Sequence, residues 1–320
     1  MEGQFKIRLA MLCVYVSILQ VVSGVVTLYE RKTTMEEFFS GEHEKYPLLL
    51  MDDVNKLDER VKANKDVDKL SSKINKKMLI MFLHSGLFNV DEAYKIIVNN
   101  QKYSAKILAY FPESKILNIK EMESVHKHVS ISIVPVPYEG KDDRHVYLQL
   151  KQTESVYFAF EMISQYFLML TRFLISTNGT FDGLVVTVNA DGLNFIHCYQ
   201  AMTKTSFVKT LVKYLQTGLP IRLKAIHFVN AGIKMRLFNA LSFSEYTSQQ
   251  VKDKIYMYKT EEMQNVFDHV PVEYMPCEIG GRGKSHVDYS EETHLQMISF
   301  FYPPYPVKNN NDNSSITIES

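Results

Sequence analysis

Apolar residues recur at roughly helical intervals in the first third of the chain. Between residues 35 and 75 the sequence is rich in charge, and apolar positions such as Leu57, Val61 and Leu70 interrupt it. The stretch 74–111 repeats this spacing. An apolar stripe between charged residues is typical of amphipathic helices, so the pattern predicts helices in both stretches.

The second of these stretches should hold two helices rather than one. A break at Ser85-Gly86 predicts a turn between them. Either Asn89 or Asp91 is placed to begin the helix after the turn, because a short polar side chain can accept a hydrogen bond from a free backbone N–H. Together the helices predict a small all-α bundle over residues 35–115.

The middle of the chain changes to short β-branched and aromatic runs. Two of them, 131–137 and 145–151, predict a hairpin or two neighbouring strands. Two continuous apolar runs, 181–192 and 223–232, predict buried strands, with a helix at 205–216 between them. Buried strands that alternate with helices indicate a parallel, doubly wound sheet.

The most apolar helix is predicted at 155–176. It is apolar around most of its circumference, so it should be buried on more than one face. Towards the end of the chain, the pattern predicts helices at 234–242 and 247–254, a strand at 255–259 and a short helix at 263–269.

Composition narrows the classes of function. The chain of 320 residues has 36 basic and 36 acidic side chains, so no overall field draws it to nucleic acid or to an anionic membrane. Any such contact must be local. The three cysteines include no CxxC pair, which predicts neither a disulfide framework nor a four-thiolate zinc site. Stability must therefore come from the core.

Motifs for nucleotide and metal binding are weak in this sequence. No GxGxxG follows a predicted strand, and the nearest phosphate-loop candidate, residues 278–285, has Glu278 where the first glycine is required. His126 and His128 could place two imidazoles on one strand face, but spacing places no third ligand. We therefore predict no cofactor and no metal site.

Catalytic groups are equally sparse. The sequence has neither GxSxG nor HExxH. Cys198 and His197 are chain neighbours whose side chains should point in different directions, which disfavours a thiol nucleophile. Asp191 and Glu278 are single carboxylates in predicted turns, where a cap or a loop hydrogen bond is the simpler role. The sequence predicts no catalytic residue and no enzyme.

Both ends of the chain differ from its body. Residues 1–26 have a basic lead, an apolar stretch and small residues, and they read either as a secretory signal peptide or as an N-terminal apolar helix. Glycosylation patterns begin at Asn178 and Asn313, and they matter only if the chain is exported. Residues 303–320 are rich in Pro, Asn and Ser, which predicts a disordered tail.

Four segments between residues 181 and 281 carry a family likeness. In chain order they read FDGLVVTVNADGLNFIHCYQ, KTLVKYLQTGLPIRLKAIHFVNAG, VKDKIYMY and VPVEYMPCEIGG. This order and spacing resemble the CRAL-TRIO lipid-binding domain, in the alpha-tocopherol transfer and retinaldehyde-binding group of insect type. The segment FLHSGLFNVDEAYKII resembles the helical module that precedes the domain in this family.

The resemblance implies an α/β domain over residues 120–300, preceded by the all-α bundle. A mostly parallel sheet flanked by helices would line an apolar ligand cavity, and a mobile gate helix at 234–247 would close it. The gate side chains would be Met235, Leu237, Phe238 and Leu241.

The resemblance also assigns the cavity wall. Tyr166 and Leu170 are bulkier than the serines of the related vitamin-E binder, which disfavours tocopherol itself as the ligand. The full set of side chains expected to line the cavity is Ile163, Tyr166, Phe167, Leu170, Leu184, Val186, Val188, Phe195, Leu211, Tyr214, Leu215, Leu219 and Ile226.

A membrane-docking patch is implied in part. Arg222, Lys224 and Lys254 match the basic positions that contact phosphoinositides in the tocopherol group, while one further basic position is Gln250. Ordinary solvated charge is the alternative. The gate lacks the Lys-Pro pair that phosphatidylinositol-exchanging members use, so we do not expect that exchange.

The predicted function is a carrier for a small hydrophobic ligand, such as a retinoid, a tocopherol-like isoprenoid or another lipid, between membranes. The alternative is an adaptor that uses the same fold without transferring cargo, and an enzyme on a nucleotide-type sheet is a third hypothesis. The expected partners are the lipid and a membrane surface containing phosphoinositide, with no nucleic acid. We expect a cytoplasmic monomer, or a secreted protein if residues 1–26 are a signal peptide.

Overall fold

The computed structural model describes residues 34–64, 74–110, 116–135, 142–151, 159–193, 196–197, 203–232 and 247–303. The segment 1–26 and nearly all of the predicted tail lie outside these ranges. So do one predicted cavity residue and the gate residues, which are Phe195, Met235, Leu237, Phe238 and Leu241.

Four helices form the N-terminal module. They are α1 (Met35–Lys45), α2 (Met51–Ala63), α3 (Lys76–Ser85) and α4 (Val90–Leu108). Of the two predicted caps, Asn89 begins α4, and its side-chain oxygen accepts the backbone N–H groups of Asp91 and Glu92 at 2.9 and 3.1 Å. The predicted break is confirmed at Gly86, where a Cβ atom would lie 2.8 Å from the Ala93 backbone nitrogen. Glycine therefore lets the two helices approach closely.

A buried carboxylate joins this module to the rest of the chain. Glu42 of α1 accepts hydrogen bonds from the backbone N–H of Thr180, at 3.3 Å, and from its hydroxyl. Gly179 has a φ of +73°, and a Cβ atom there would collide with the Glu42 carboxylate. Lys45 lies 3.8 Å from the same carboxylate. The buried charge is thus both paired and hydrogen-bonded, as burial requires.

The α/β part of the chain begins at residue 119. Its elements, in chain order, are α5 (Ile119–His128), β1 (Val129–Val134), β2 (Asp143–Leu150), α6 (Phe160–Asn178), β3 (Gly183–Asn189), α7 (Thr205–Thr217), β4 (Leu223–Val229), α8 (Gln249–Lys252), β5 (Ile255–Met257), two 3-10 helices (Thr260–Asp268 and Cys277–Ile279) and α9 (His286–Phe301).

The described strands form one five-stranded sheet in the order β1-β2-β3-β4-β5. β1 pairs antiparallel with β2, which confirms the predicted hairpin or neighbouring pair, and the other pairs are parallel. The mostly parallel sheet is confirmed, but the doubly wound arrangement is wrong. Consecutive parallel strands lie side by side without a reversal of order, so right-handed crossovers place α6 and α7 on one face of the sheet.

The two faces of the sheet are covered by different parts of the chain. Leu184 and Val186 pack with α6 and with the helical module in a single hydrophobic core. Val185, on the opposite face of β3, packs with Val266 and Met275 of the 3-10 segment and the loop after it. Because the N-terminal helices share the first core, they extend the layer formed by α6.

Two helices were not predicted. His126 and His128 lie on α5, a helix that begins with a capping box between Asn118 and Glu121, so the expected strand face was wrong. α9 was missed because polar residues, among them Ser290, occupy part of its buried side. Such polar residues interrupt the regular spacing of apolar residues by which an amphipathic helix is predicted.

The helix α6 is confirmed as buried on several faces. It is 19 residues long. No helix in the described part of the chain is both long enough and apolar enough to cross a bilayer.

Candidate lipid-binding site

The central strand β3 positions the first predicted cavity residues. Its β-branched residues favour an extended backbone, and alternate side chains point to opposite faces of the sheet. Leu184, Val186 and Val188 therefore share the face that packs against α6. Leu184 and Val186 are buried, whereas Val188 at the carboxyl end of the strand is only partly buried. The apolar face becomes more open towards that end.

The four predicted residues of α6 join the same cluster. Tyr166 and Leu170 are fully buried, while Ile163 and Phe167 are partly exposed. The Tyr166 hydroxyl is hydrogen-bonded to Nδ1 of His294 at 3.0 Å. Because this hydroxyl already has a partner in α9, the two half-buried residues are the better contacts for a ligand.

The predicted residues of α7 fall into a second cluster. Leu211, Tyr214 and Leu215 pack with Ile107 of α4 and Leu168 of α6 rather than with β3. Leu219, just beyond α7, returns to the first cluster. The structure therefore places most of the predicted lining around β3 and α6, and it separates the α7 residues from it. Whether all of them contact one ligand stays a prediction.

The strand β4 extends the open apolar face. Ile226 pairs with Val186 on one side and with Ile255 of β5 on the other, and paired residues of parallel strands point to the same face. Phe228 continues this row beside Met257. All these residues except Val186 are only partly buried.

Three candidate contacts were missed in the sequence: Phe228, Ile255 and Met257. Two-residue alternation counted from Ile226 would have found Phe228. The other two required the pairing of β4 with β5, which spacing along the chain does not give.

Buried polar groups lie on the other face of the sheet. Nε2 of His145 lies 2.8 Å from the Thr187 hydroxyl oxygen. His227 stacks on Tyr256 and lies 3.2 Å from the Tyr258 hydroxyl oxygen. Burial lowers the pKa of His145 to about 3 and that of His227 to about 4, so both rings are neutral near pH 7. The apolar face and this polar face are kept apart by the sheet.

The residues that the sequence offered as catalytic or metal-binding candidates make structural contacts instead. The Glu278 carboxylate accepts the backbone N–H of His286 at 3.1 Å, as a loop hydrogen bond predicts. His126 stacks on His294 with 4.2 Å between ring centroids. Among the described residues, no group of three or more His, Cys, Asp or Glu side chains could hold a metal ion. Cys198 lies outside the described residues.

The predicted basic patch is partly neutralised. Lys224 forms an ion pair with the buried Asp143 at 3.0 Å. Lys254 donates to the Leu223 carbonyl oxygen at 2.8 Å. Arg222 contacts the ring of His84, and this positive neighbour together with burial lowers the pKa of His84 to about 3. Arg222 has no carboxylate partner among the described salt bridges, but it is only partly exposed, whereas Lys224 is exposed.

One of the two glycosylation patterns can be tested against the geometry. The Asn178 side-chain nitrogen, which would carry the glycan, donates to the Leu174 carbonyl oxygen and to the Thr177 hydroxyl, both at 2.9 Å. A glycan would replace one of the two hydrogens on this nitrogen, so at least one of these bonds would be lost. Asn313 lies outside the described residues.

Comparison with known proteins finds a family match for the α/β part of the chain. Residues 132–281 match the CRAL/TRIO domain. Proteins described as "Alpha-tocopherol transfer protein-like" from Homo sapiens and Pongo abelii are each 22% identical over 228 residues, covering 68% of this chain and 62% of theirs. The Mus musculus protein of that description is 22% identical over 229 residues, with the same coverage. The match spans less than two thirds of these relatives.

A solved structure gives a weaker likeness. "Crystal structure of Sfh5" covers 78% of this chain and 96% of its own, with 10% identity and a TM-score of 0.43, too low to support an inference by itself. The expected insect affinity stays a prediction. The match over residues 132–281 confirms the family resemblance seen in the sequence, and proteins of this family typically bind small hydrophobic ligands without catalysing a reaction.

Proposed function

We propose that this chain binds a small hydrophobic ligand, such as a retinoid, a tocopherol-like isoprenoid or another lipid, and transfers it between membranes. The observation that carries the proposal is the row of partly buried apolar side chains at the carboxyl end of the sheet: Val188, Ile226, Phe228, Ile255 and Met257. Apolar side chains in a closed core would be fully buried. Their partial exposure favours a ligand-sized space beside the sheet.

Transfer of a lipid through water is slow without a carrier. A chain of about twenty carbons, at about 0.8 kcal/mol per methylene, costs on the order of 15 kcal/mol to hydrate. An apolar site that opens at the membrane surface lets the ligand leave without full hydration. We propose that residues 234–247 act as the gate, and that membrane contact and ligand shift its open and closed populations in opposite directions.

A vesicle assay tests the transfer. The purified chain should move a fluorescent neutral lipid from donor to acceptor vesicles in proportion to protein concentration. Lipid binding without transfer would instead support the adaptor alternative. Absence of both would contradict the proposal. A cytoplasmic location and a monomeric state belong to the same proposal, and a single species of about 37 kDa in sedimentation would support the monomer.

The basic patch gives a prediction about membrane choice. Replacing Arg222 and Lys224 by Ala should slow transfer to vesicles rich in anionic lipid or phosphoinositide by about fivefold, because one basic residue near such a surface contributes about 1 kcal/mol and Lys224 is already paired. Transfer to neutral vesicles should be unchanged. The measurement is the initial transfer rate at low and high salt.

A matched control removes two other cations. Lys56 and Lys62 of α2 are exposed and pair with neighbouring acidic residues, so replacing both by Ala should leave both transfer rates as they are. Equal rates of the patch variant and the unsubstituted chain on anionic vesicles would remove Arg222 and Lys224 from the docking surface.

A further inference from the structure

A cleft between the helical module and the α/β domain contains an arginine that has no ion-pair partner among the described residues. Its walls come from α3, α4, α6 and the end of α7, and its volume is about 60 Å³. Arg172 of α6 lines this cleft. In the described structure its guanidinium forms neither a hydrogen bond nor an ion pair.

Two further donors in the cleft also lack an acceptor. The Tyr214 hydroxyl oxygen lies 3.4 Å from the side-chain nitrogen of Asn100, which donates to it. Its own O–H has no acceptor among the described residues. Ser176 lies one helical turn after Arg172, and no hydrogen bond occupies its hydroxyl in the same part of the chain. Three donors from two helices thus line one cleft, and none of them has an acceptor in the described part of the chain.

The charge of the cleft is uncompensated. Of the residues that the structure describes, no acidic side chain lines it. Burial lowers the pKa of Arg172, yet a guanidinium in a protein remains protonated. Arg172 is partly buried, and a cation withdrawn from water is costly unless an opposite charge or hydrogen-bond acceptors surround it. The cleft therefore favours a ligand that brings an anionic group.

The rest of the wall is apolar. Met78, Met81 and Phe82 of α3 face this space together with Leu219. A free inorganic anion would gain nothing from them, whereas the carbon chain of an amphiphile would be removed from water. Leu219 also packs against the hydrophobic core that contains Leu184 and Val186 of β3, so the apolar wall of the cleft continues into that core.

We propose that this cleft binds the carboxylate head of a lipid acid, with Arg172 as its ion-pair partner and Tyr214 as a second donor. The planar guanidinium can hold a carboxylate through two parallel hydrogen bonds. A carboxylate with a few methylenes suits a space of this size better than a bulky phosphodiester head. The inference rests on the proposed lipid binding and narrows its ligand class.

Two ligands of equal chain length test the inference. Hexadecanoic acid and hexadecanol are titrated into the full chain after its lipid has been removed. The unsubstituted chain should bind the acid at least tenfold more tightly, which corresponds to about 1.4 kcal/mol. Arg172→Gln should remove this preference and leave hexadecanol affinity within about twofold. Arg172→Lys should restore part of it, because the charge returns without the planar fork.

Two more variants complete the design. Arg60→Gln removes an exposed arginine from α2 and should change neither affinity. If Arg172→Gln fails to fold, Tyr214→Phe, which removes the hydroxyl and with it the 3.4 Å contact to Asn100, should weaken acid binding several-fold and spare the alcohol.

Each outcome decides a separate question. Equal binding of acid and alcohol by the unsubstituted chain would overturn the carboxylate site and leave the proposed function standing. Tighter binding of hexadecyl phosphate than of the acid would overturn the choice of carboxylate. Failure to bind any of the three lipids would count against the proposed function itself.

Discussion

Acidification should unfold this protein at a pH where its carboxylates are still largely ionised. Burial lowers the pKa of His84, His145 and His294 to about 3 and that of His227 to about 4. In the unfolded chain these rings titrate near 6.5. As the pH falls below 6.5, the unfolded state takes up protons that the folded state cannot, so the free energy of unfolding falls.

The expected loss is large. Each of the four histidines removes up to about 1.4 kcal/mol per pH unit, which gives on the order of 5 kcal/mol between about pH 7.5 and 5.5. This is comparable with the whole stability of an ordinary domain. Urea unfolding followed by circular dichroism at the two pH values measures it directly. Above pH 7 the histidines should contribute no pH dependence, because they are neutral in both states.

A pair of single variants isolates the cause. His294→Gln removes one titrating ring while keeping a polar partner for Tyr166, so it should reduce the acid loss by about one quarter. His43→Gln, which replaces an exposed ring on α1, is the matched control. If the unsubstituted chain were equally stable at both pH values, the burial of neutral histidines would be refuted.

Filling the open apolar face should abolish ligand retention. Ile226 is partly buried and lies beside Val186 and Ile255 on this face. A tryptophan there would occupy the space proposed for the ligand, so Ile226→Trp should lower the amount of co-purified lipid at least tenfold. Since the native side chain is not tightly enclosed, the free energy of unfolding should change little. Lipid content per protein and urea unfolding are the two measurements.

Two other tryptophan variants serve as controls for Ile226→Trp. Val186 is only 7% exposed, so Val186→Trp should also remove the ligand but would overpack the core and cost about 1–3 kcal/mol. Val287 of α9 is 46% exposed, and Val287→Trp should affect neither lipid content nor stability. An undiminished lipid content in Ile226→Trp would show that the ligand does not contact this face.

The elements that were predicted correctly are mostly those that depend on local sequence. The Gly86 break, the Asn89 cap and the apolar helix α6 each depend on residues close together in the chain. The prediction of a doubly wound sheet was wrong because the order of strands depends on where the chain returns to the sheet after each crossover. That is decided by contacts between distant segments rather than by the period of any one strand.

The candidate site was predicted only in part for the same reason. The family resemblance assigned Leu184, Val186 and Val188, and alternation along one strand places these three on the same face of the sheet. The separate packing of Leu211 and Leu215 depends on α4, and the partial exposure of Phe228 depends on β5. The sequence does not single out Arg172, because one cation in an apolar helix is not a signal by itself. Only its three-dimensional surroundings show that no carboxylate lies beside it among the described residues.

Native mass spectrometry of the full chain, purified without detergent, tests the central claim most directly. We expect one lipid molecule per chain, released on unfolding and identified in the organic extract, with a carboxylate head if Arg172 acts as proposed. A folded chain that carries no lipid, and takes none up from mixed vesicles, would contradict the assignment of a lipid carrier.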